Sequence, residues 1–445
     1  MTAALASLAG LRQVVTSRAA HALEHSLEVQ LPFLQTVLGP FRLVPVVVGG
    51  ATPEQMAELL AEVWGGGDES GEQVHLQPGM AQFEASRDRR RKPFLAVDTN
   101  HGVFSSEAHL GGITVADQDA DFILPMFIAM DPPKHDAQRK AVSSIVSPSN
   151  LAKLESTIRE RVNTIFDSLP IGETFDWVDK VSIELTTQML ATLFDFPFED
   201  RRKLTRWSDV ATTLPMPGGL VETEDERQAE LMECLAYFTR LWNERVNEPM
   251  RGDLISMMAH GEATRNMSPD EFLGNVILLI VGGNDTTRNS ITGGLLALNQ
   301  NPAEYDKLRA NPDLISSMVP EIIRWQTPLA HMRRTALEDT ELAGKTIKKG
   351  DKVVMWYVSG NRDETQYTNA DKLWIERPMV RRHLSFGFGI HRCVGNRLAE
   401  LQLQVLWEEI IKRFDKIEVL SEPERIPSAF VKGYTKMMVK VTPKA

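Results

Sequence analysis

The sequence predicts a mainly α fold with small β-sheets, on three observations. From about residue 120, apolar residues recur at helical spacing over long stretches joined by short proline or glycine breaks. One stretch, EFLGNVILLIVGGNDTTRNSITGGLLAL (271–298), is apolar nearly all round, which places it inside a large domain. Strand signals are few and short.

Composition bounds the rest. The 445-residue chain is 42% hydrophobic and 24% charged, enough for a sizeable core. A formal net charge of −11 argues against nucleic-acid binding. Two cysteines cannot build a disulfide framework and point to a reducing compartment. MTAALASLAGLRQVV lacks the features of a signal peptide, and no apolar run reaches the roughly eighteen residues of a membrane span. A cytoplasmic protein is expected.

The elements follow in chain order. MDPPKHDAQRKAV (130–142) predicts a helix with Asp131 as its cap and prolines in its first turn. It sets His135 and Arg139 four apart, a pair able to clamp a carboxylate, although taken singly a solvated helix surface is the simpler reading. Residues 151–169, 178–193 and most of 222–246 read as amphipathic helices, and Cys234 as inert core. The 271–298 helix holds Gly282-Gly283-Asn284-Asp285-Thr286-Thr287. Glycines weaken a helix, and a buried Asp285 needs a partner. Bare backbone at Gly282 and Gly283 admits a small ligand, and an acid beside a hydroxyl can relay protons. A kinked helix with a satisfied Asp285 accounts for the same residues.

VPEIIRWQTP (319–328) places Glu321 and Arg324 on one helical face, with Pro328 ending the helix. Such a pair is worth little when exposed and costs about 3–5 kcal/mol to break when buried. Strands are expected at DKVVMWYV (351–358), KIEVL (416–420) and KMMVKV (436–441). FGFGIHRCVGN (386–396) sets Cys393 at the head of an amphipathic helix over 395–414. Unpaired N–H groups and the helix dipole there lower a thiol's pKa. Gly387, Gly389 and Gly395 let the backbone turn tightly against a flat ligand. A thiolate so placed suits an axial haem ligand, the alternative being a buried inert cysteine.

In their order and separations these motifs resemble the cytochrome P-450 (haem-thiolate monooxygenase) family over about residues 95–445. The cysteine signature is matched by Phe386, Gly389, His391, Cys393 and Gly395. The oxygen-activation motif is matched by Gly282, Gly283, Asp285, Thr286 and Thr287, and the Glu-x-x-Arg motif by Glu321 and Arg324. Asn361-Arg362-Asp363 and Arg377 also fit. The resemblance implies the cytochrome P-450 fold, with Cys393 as the axial ligand of haem b iron. It implies that His135, Arg139, Arg334 and His391 hold the haem propionates. Thr286 would hydrogen-bond the oxygen bound there, Asp285 would relay protons, and Arg377 would join Glu321 and Arg324 in a structural network. The implied reaction inserts one atom of O2 into a C–H bond, the other leaving as water.

Segments 96–114, 122–139, 281–290 and 318–336 are similar to the bacterial soluble alkane-hydroxylase branch. That implies terminal hydroxylation of medium-chain alkanes, fatty acids or related apolar molecules. Leu278, Leu279 and the 110–130 loop are candidate pocket lining, with ordinary core packing equally consistent. No reductase segment is recognised, so electrons are expected from NAD(P)H through a separate ferredoxin and ferredoxin reductase. Arg381, Arg382, Arg392, Arg397 and Lys412 form either a docking surface for an acidic ferredoxin or a solvated basic face.

The N-terminal part differs. HALEHSLEVQLPFLQTVLGPFRLVPVVVGGATPEQMAELLAEVW (21–64) resembles part of the Memo family, an α/β fold. The expected division is a Memo-like fragment over 1–72, a linker over 73–94 containing DRRRK, and a haem domain over 95–445 that lacks the family's usual N-terminal segment. His21, His25 and Glu28 share a helix face, yet no metal site is expected, because the other ligands and most of that fold are absent. Such a fragment holds too little core to fold alone. The chain reads as a fusion, and an impaired or non-catalytic haem-binding protein is the alternative function.

Overall fold

Helical periodicity becomes helix nearly everywhere in the computed structural model, which describes residues 91–115 and 123–444. The helices are α1 (Arg91–Asp98), α2 (Lys134–Ser143), α3 (Pro148–Asp167), α4 (Glu184–Phe194), α5 (Arg202–Thr212), α6 (Glu224–Arg245), α7 (Leu254–His260), α8 (Pro269–Gln300), α9 (Pro302–Ala310), α10 (Ile315–Gln326) and α11 (Asn396–Arg413). Local chemistry starts several of them. Ser268 accepts the Glu271 N–H ahead of α8, with Pro269 in the first turn. Thr223 accepts the Glu226 N–H ahead of α6, whose first turn carries Glu224, Asp225 and Glu226 against the dipole. No helix among the described residues is long and apolar enough to cross a membrane.

The strands are short: β1 (Phe104–Ser105), β2 (Thr174–Asp176), β3 (Met332–Ala336), β4 (Thr340–Leu342), β5 (Lys345–Ile347), β6 (Lys352–Met355), β7 (Phe414–Val419), β8 (Glu424–Arg425), β9 (Tyr434–Lys436) and β10 (Met438–Pro443). They pair antiparallel as β1-β3-β6, β2-β10-β7, β4-β5 and β8-β9. In the first sheet Phe104 faces Ala336 and Arg334 faces Val353.

The main core surrounds α8, against which α4, α5, α10 and α11 pack. Trp177, Trp207 and Trp407 are fully buried there, as is Cys234. Each large apolar side chain so buried contributes about 1.5–3 kcal/mol of transfer free energy. A second core of Val97, Phe104, Ile113, Met332, Val353, Tyr357 and Leu384 joins α1 to the β1-β3-β6 sheet.

Four local expectations are corrected. Asp131 does not cap α2: its carboxylate accepts from Ser105 Oγ (2.6 Å) and the Ser106 N–H (3.0 Å). The prolines precede the helix, which opens at Lys134. The 351–358 strand stops at Met355, and Tyr357–Gly360 forms one helical turn. Residues 178–193 begin as a π-helical turn (Val178–Ile183) before α4. At the N-terminal end, α1 includes residues 91–94 of the expected linker. The Memo-like stretch and its His21, His25 and Glu28 lie outside the described residues.

Candidate active site

The loop before α11 is folded by its glycines and by two remote groups. Gly387 and Gly389 both sit at φ 64°, which only glycine adopts cheaply. A Cβ on Gly389 would also lie 2.2 Å from the Asp98 carbonyl oxygen. Gly395 has ordinary backbone angles, so a tight turn is not its reason; a Cβ there meets nothing within 4 Å. Phe388 donates its N–H to Asp98 Oδ2 (3.0 Å), and Cys393 donates its own to Phe386 O (2.8 Å). These bonds present a half-buried Cys393 just ahead of α11. The thiol pKa is not lowered as expected. Burial pushes it above the ordinary value, outweighing the Gly395 N–H, Arg139 and Arg392, which all favour thiolate. Among the protein's own groups the balance therefore favours the thiol.

His135 and Arg139, one turn apart on α2, come to this loop. The His135 and His391 rings meet edge to face at 4.5 Å, and Arg139 Nη2 donates to Arg392 O at 2.5 Å. His135 Nδ1 pairs with Asp136 (2.7 Å), while His135 Nε2 and both His391 nitrogens are buried without a hydrogen-bond partner among the described residues. Burial lowers the pKa of both rings, His391 further under Arg334, His135 and Arg139. Orphaned donors beside cations and a cysteine fit a large anionic ligand, so the residues present fit haem with its carboxylates. Arg334 is held differently from the expected clamp. Its Nη2 donates to buried Asp98 at 2.9 Å, and Asp98 also accepts from Tyr357 OH at 3.0 Å.

On α8 the expected all-round burial has one interruption. Leu278, Leu279, Val281, Gly283 and Thr286 are only half-buried and Gly282 is exposed, between fully buried stretches. Gly282 has open space where a Cβ would stand, whereas a Cβ on Gly283 would press Leu190 at 2.7 Å. Bare backbone is thus presented at Gly282 alone. Thr286 Oγ1 donates to the Gly282 carbonyl (3.0 Å), the i−4 bond expected of it, and α8 continues unbroken. Asp285 is fully buried and satisfied by Thr212 Oγ1 (3.2 Å), Asn284 Nδ2 (3.1 Å) and Arg288 Nη2 (2.8 Å). Arg288 also pairs with Asp209 at 2.5 Å. Desolvation, with Asp209 nearby and against the pull of Arg288, raises the Asp285 pKa to about 6.

The Glu321–Arg324 pair is the buried kind. Arg324 grips Glu321 through two bonds (2.7 and 2.8 Å) and Arg377 adds a third (2.9 Å), all three side chains at most 1% exposed. The remaining guanidinium donors go to carbonyls of Asn361, Thr368, Asn369, Ala370 and Lys372, which pins the 361–377 segment onto α10. Asn361 extends the network. Its side chain bonds Thr327, Ser385 and the Leu384 N–H, just ahead of the cysteine loop.

Comparison with known proteins decides the family. Linalool 8-monooxygenase of Pseudomonas putida is 35% identical over 365 residues, covering 80% of this chain and 89% of that protein. The chain belongs to the cytochrome P450 family. A steroid C26-monooxygenase of Rhodococcus jostii is 34% identical, covering 77% of this chain and 72% of its own. The solved structure of a cytochrome P450-153 from Novosphingobium aromaticivorans superimposes with a TM-score of 0.73 at 49% identity, covering 79% of this chain and 88% of that one. The Cytochrome P450 family model matches residues 311–441, and the Memo-like protein model matches residues 4–66. Like other cytochromes P450, this is a haem monooxygenase that draws electrons from a redox partner.

Of the basic residues around the P450 cysteine, Arg382 and Arg397 are exposed without an ion-pair partner among the described residues. Arg381 pairs with Glu400, and Arg392 lies 5.5 Å over the Phe388 ring. Lys412 leaves the group: it sits in the last turn of α11 beside Glu409, about 22 Å along the axis from Arg397 at 1.5 Å per residue. Three groups escaped the sequence reading. Asp98, Asp209 and Asn361 as a side-chain hub have no local pattern, because their partners are tens to hundreds of residues away. AVDTNHG, which holds Asp98, was the one available signal.

Proposed function

We propose that this cytochrome P450 hydroxylates the terminal carbon of medium-chain alkanes, fatty acids or similar apolar molecules, with electrons from NAD(P)H through a ferredoxin and its reductase. The observation that carries this reading is the uncharged stripe of Leu278, Leu279 and Gly282 running to Thr286. It offers an apolar chain an uncharged wall ending at a hydroxyl. Haem, when bound, supplies activation of O2 and insertion of one oxygen atom into a C–H bond. In the roles proposed for this chain's residues, Cys393 would ligate the haem iron and His135, Arg139, Arg334 and His391 would meet the haem carboxylates, Arg334 from a position set by Asp98. Thr286 would offer its hydroxyl as a hydrogen-bond donor at the reaction site. Asp285, Arg288 and the one-third exposed Asp209 form a chain of proton-holding groups from the interior toward solvent. Glu321, Arg324 and Arg377 hold the cysteine loop through the 361–385 segment.

The proposed division places a Memo-like fragment at 1–72, a linker at 73–94 and the haem domain at 95–445. The match of residues 4–66 to a second family favours one rival reading, a haem-binding fusion impaired in catalysis. The carbon monoxide difference spectrum of the reduced full chain separates the two. A Soret band at the thiolate position supports the working site, and one at the neutral-ligand position supports the rival. Turnover of octane or octanoate with surrogate ferredoxin partners then tests the substrate class, and terminal alcohol as the main product is expected. Cys393→Ala should abolish the thiolate band; its survival would overturn the ligand assignment.

A further inference from the structure

One buried donor is used neither by the fold nor by the haem cluster. His331 lies between α10 and β3 and is 2% exposed. Its Nε2 accepts the Val115 N–H at 3.3 Å, which puts the proton of the neutral ring on Nδ1. Burial holds the ring neutral, its pKa pushed down to about 4 with no charged group contributing. Among the described residues Nδ1 has no hydrogen-bond partner, whereas buried donors nearly always find one.

The surroundings are apolar and drawn from three remote segments. Val115 belongs to the 110–130 loop, and the His331 ring lies 5.0 Å from Trp356 and 5.7 Å from Phe430. Ala330 donates its N–H to Phe430 O at 3.0 Å, and Leu329 bridges to Val431. Leu329 and Phe430 stay only partly buried although both pack on the second core. The carboxylate-binding cluster is separate, because the groups that act on His391 are Arg334, His135, Arg139 and His101.

We infer that His331 Nδ1–H is a specificity-determining donor for a neutral oxygen (ketone, ester or hydroxyl) on an otherwise apolar substrate. The inference rests on the medium-chain reading above and narrows it. A carboxylate would be buried with no cation facing it, and a bare alkane would leave the donor unpaired. Sites built around a hydrogen bond reject the analogue that lacks it.

The test titrates the haem-loaded full chain with 2-nonanone and with nonane, followed by the haem absorbance shift, in wild type, His331→Phe and His331→Asn. Wild type should prefer the ketone by about 3–10-fold, the net worth of one hydrogen bond. His331→Phe should erase that preference while leaving nonane affinity within about twofold, and His331→Asn, which keeps an N–H near Nδ1, should retain part of it. Equal affinity for the two ligands in wild type, or equal losses for both ligands in both variants, would overturn the role of His331 and leave the medium-chain reading standing. If neither ligand binds wild type, the medium-chain reading falls and this inference with it. Should His331→Phe fail to load haem, the wild-type preference and its partial retention in His331→Asn decide the matter.

Discussion

Asp285 shares one guanidinium with Asp209, so two acids and one base meet in and beside the core. Ser208, Thr212 and Asn284 complete its surroundings. An Asp in the unfolded chain titrates near 3.8 and this one near 6. Between those values the native state holds the extra proton. The associated stability is present in full below about pH 4 and falls as pH rises through 6, by about 3 kcal/mol over the two-unit shift. The thermal midpoint of the wild type should therefore decline from pH 4.5 to 7 relative to Asp285→Asn; parallel profiles would refute the shift. If the same carboxyl passes protons, Asp285→Asn should also slow turnover by about 100-fold, with a larger solvent isotope effect. Asp285 and Thr286 were visible in the sequence because glycine, acid and hydroxyl are conspicuous in an apolar helix. Asp209 was not, since only folding sets α5 against α8, whereas Arg288 stands three residues from Asp285 on the same helix, a readable spacing.

At the scale of elements, three glycines of α8 separate packing from access. A Cβ on Gly274 would stand 2.1 Å from the Pro125 carbonyl oxygen, which is backbone and yields little. On Gly283 it meets the tip of Leu190, which can rotate, and on Gly282 it meets nothing. Gly274→Ala should cost about 1–3 kcal/mol in urea unfolding and Gly283→Ala less. Gly282→Ala should be neutral or stabilising by up to about 1 kcal/mol, yet weaken binding of apolar ligands. A Gly282→Ala protein that unfolds more easily would contradict that placement. Glu321→Ala leaves Arg324 and Arg377 buried without their anion. A loss of about 3–5 kcal/mol and a fall in haem content are expected, measured by denaturation and by the haem-to-protein absorbance ratio. The long helices were legible because a 3.6-residue period survives any context. The turn at Tyr357 was not, because DKVVMWYV stays apolar well past the point where pairing with β3 ends. Asp131 was misread because Ser105 and Ser106 compete for its carboxylate.

For the whole molecule, two family matches lie on separate stretches of one chain, residues 4–66 and 311–441. The proposed linker contains DRRRK (88–92), a run of trypsin sites that reaches into the first turn of α1. Limited digestion should release a C-terminal fragment that starts between residues 88 and 92 and keeps its haem spectrum. Loss of haem at the same rate as cleavage would show that the earlier residues support the site. The haem domain was readable from sequence because its motifs carry chemistry at fixed separations.

The bond between Asp98 and Phe388 spans 290 residues. At the usual 5–20 residues per second of synthesis, α1 waits about fifteen seconds to a minute for the loop it receives. Until then Val97 and its apolar neighbours have no glycine turn to close over them. The nascent chain thus leaves the apolar side of α1 open to aggregation and to chaperones until the loop that carries Cys393 is made.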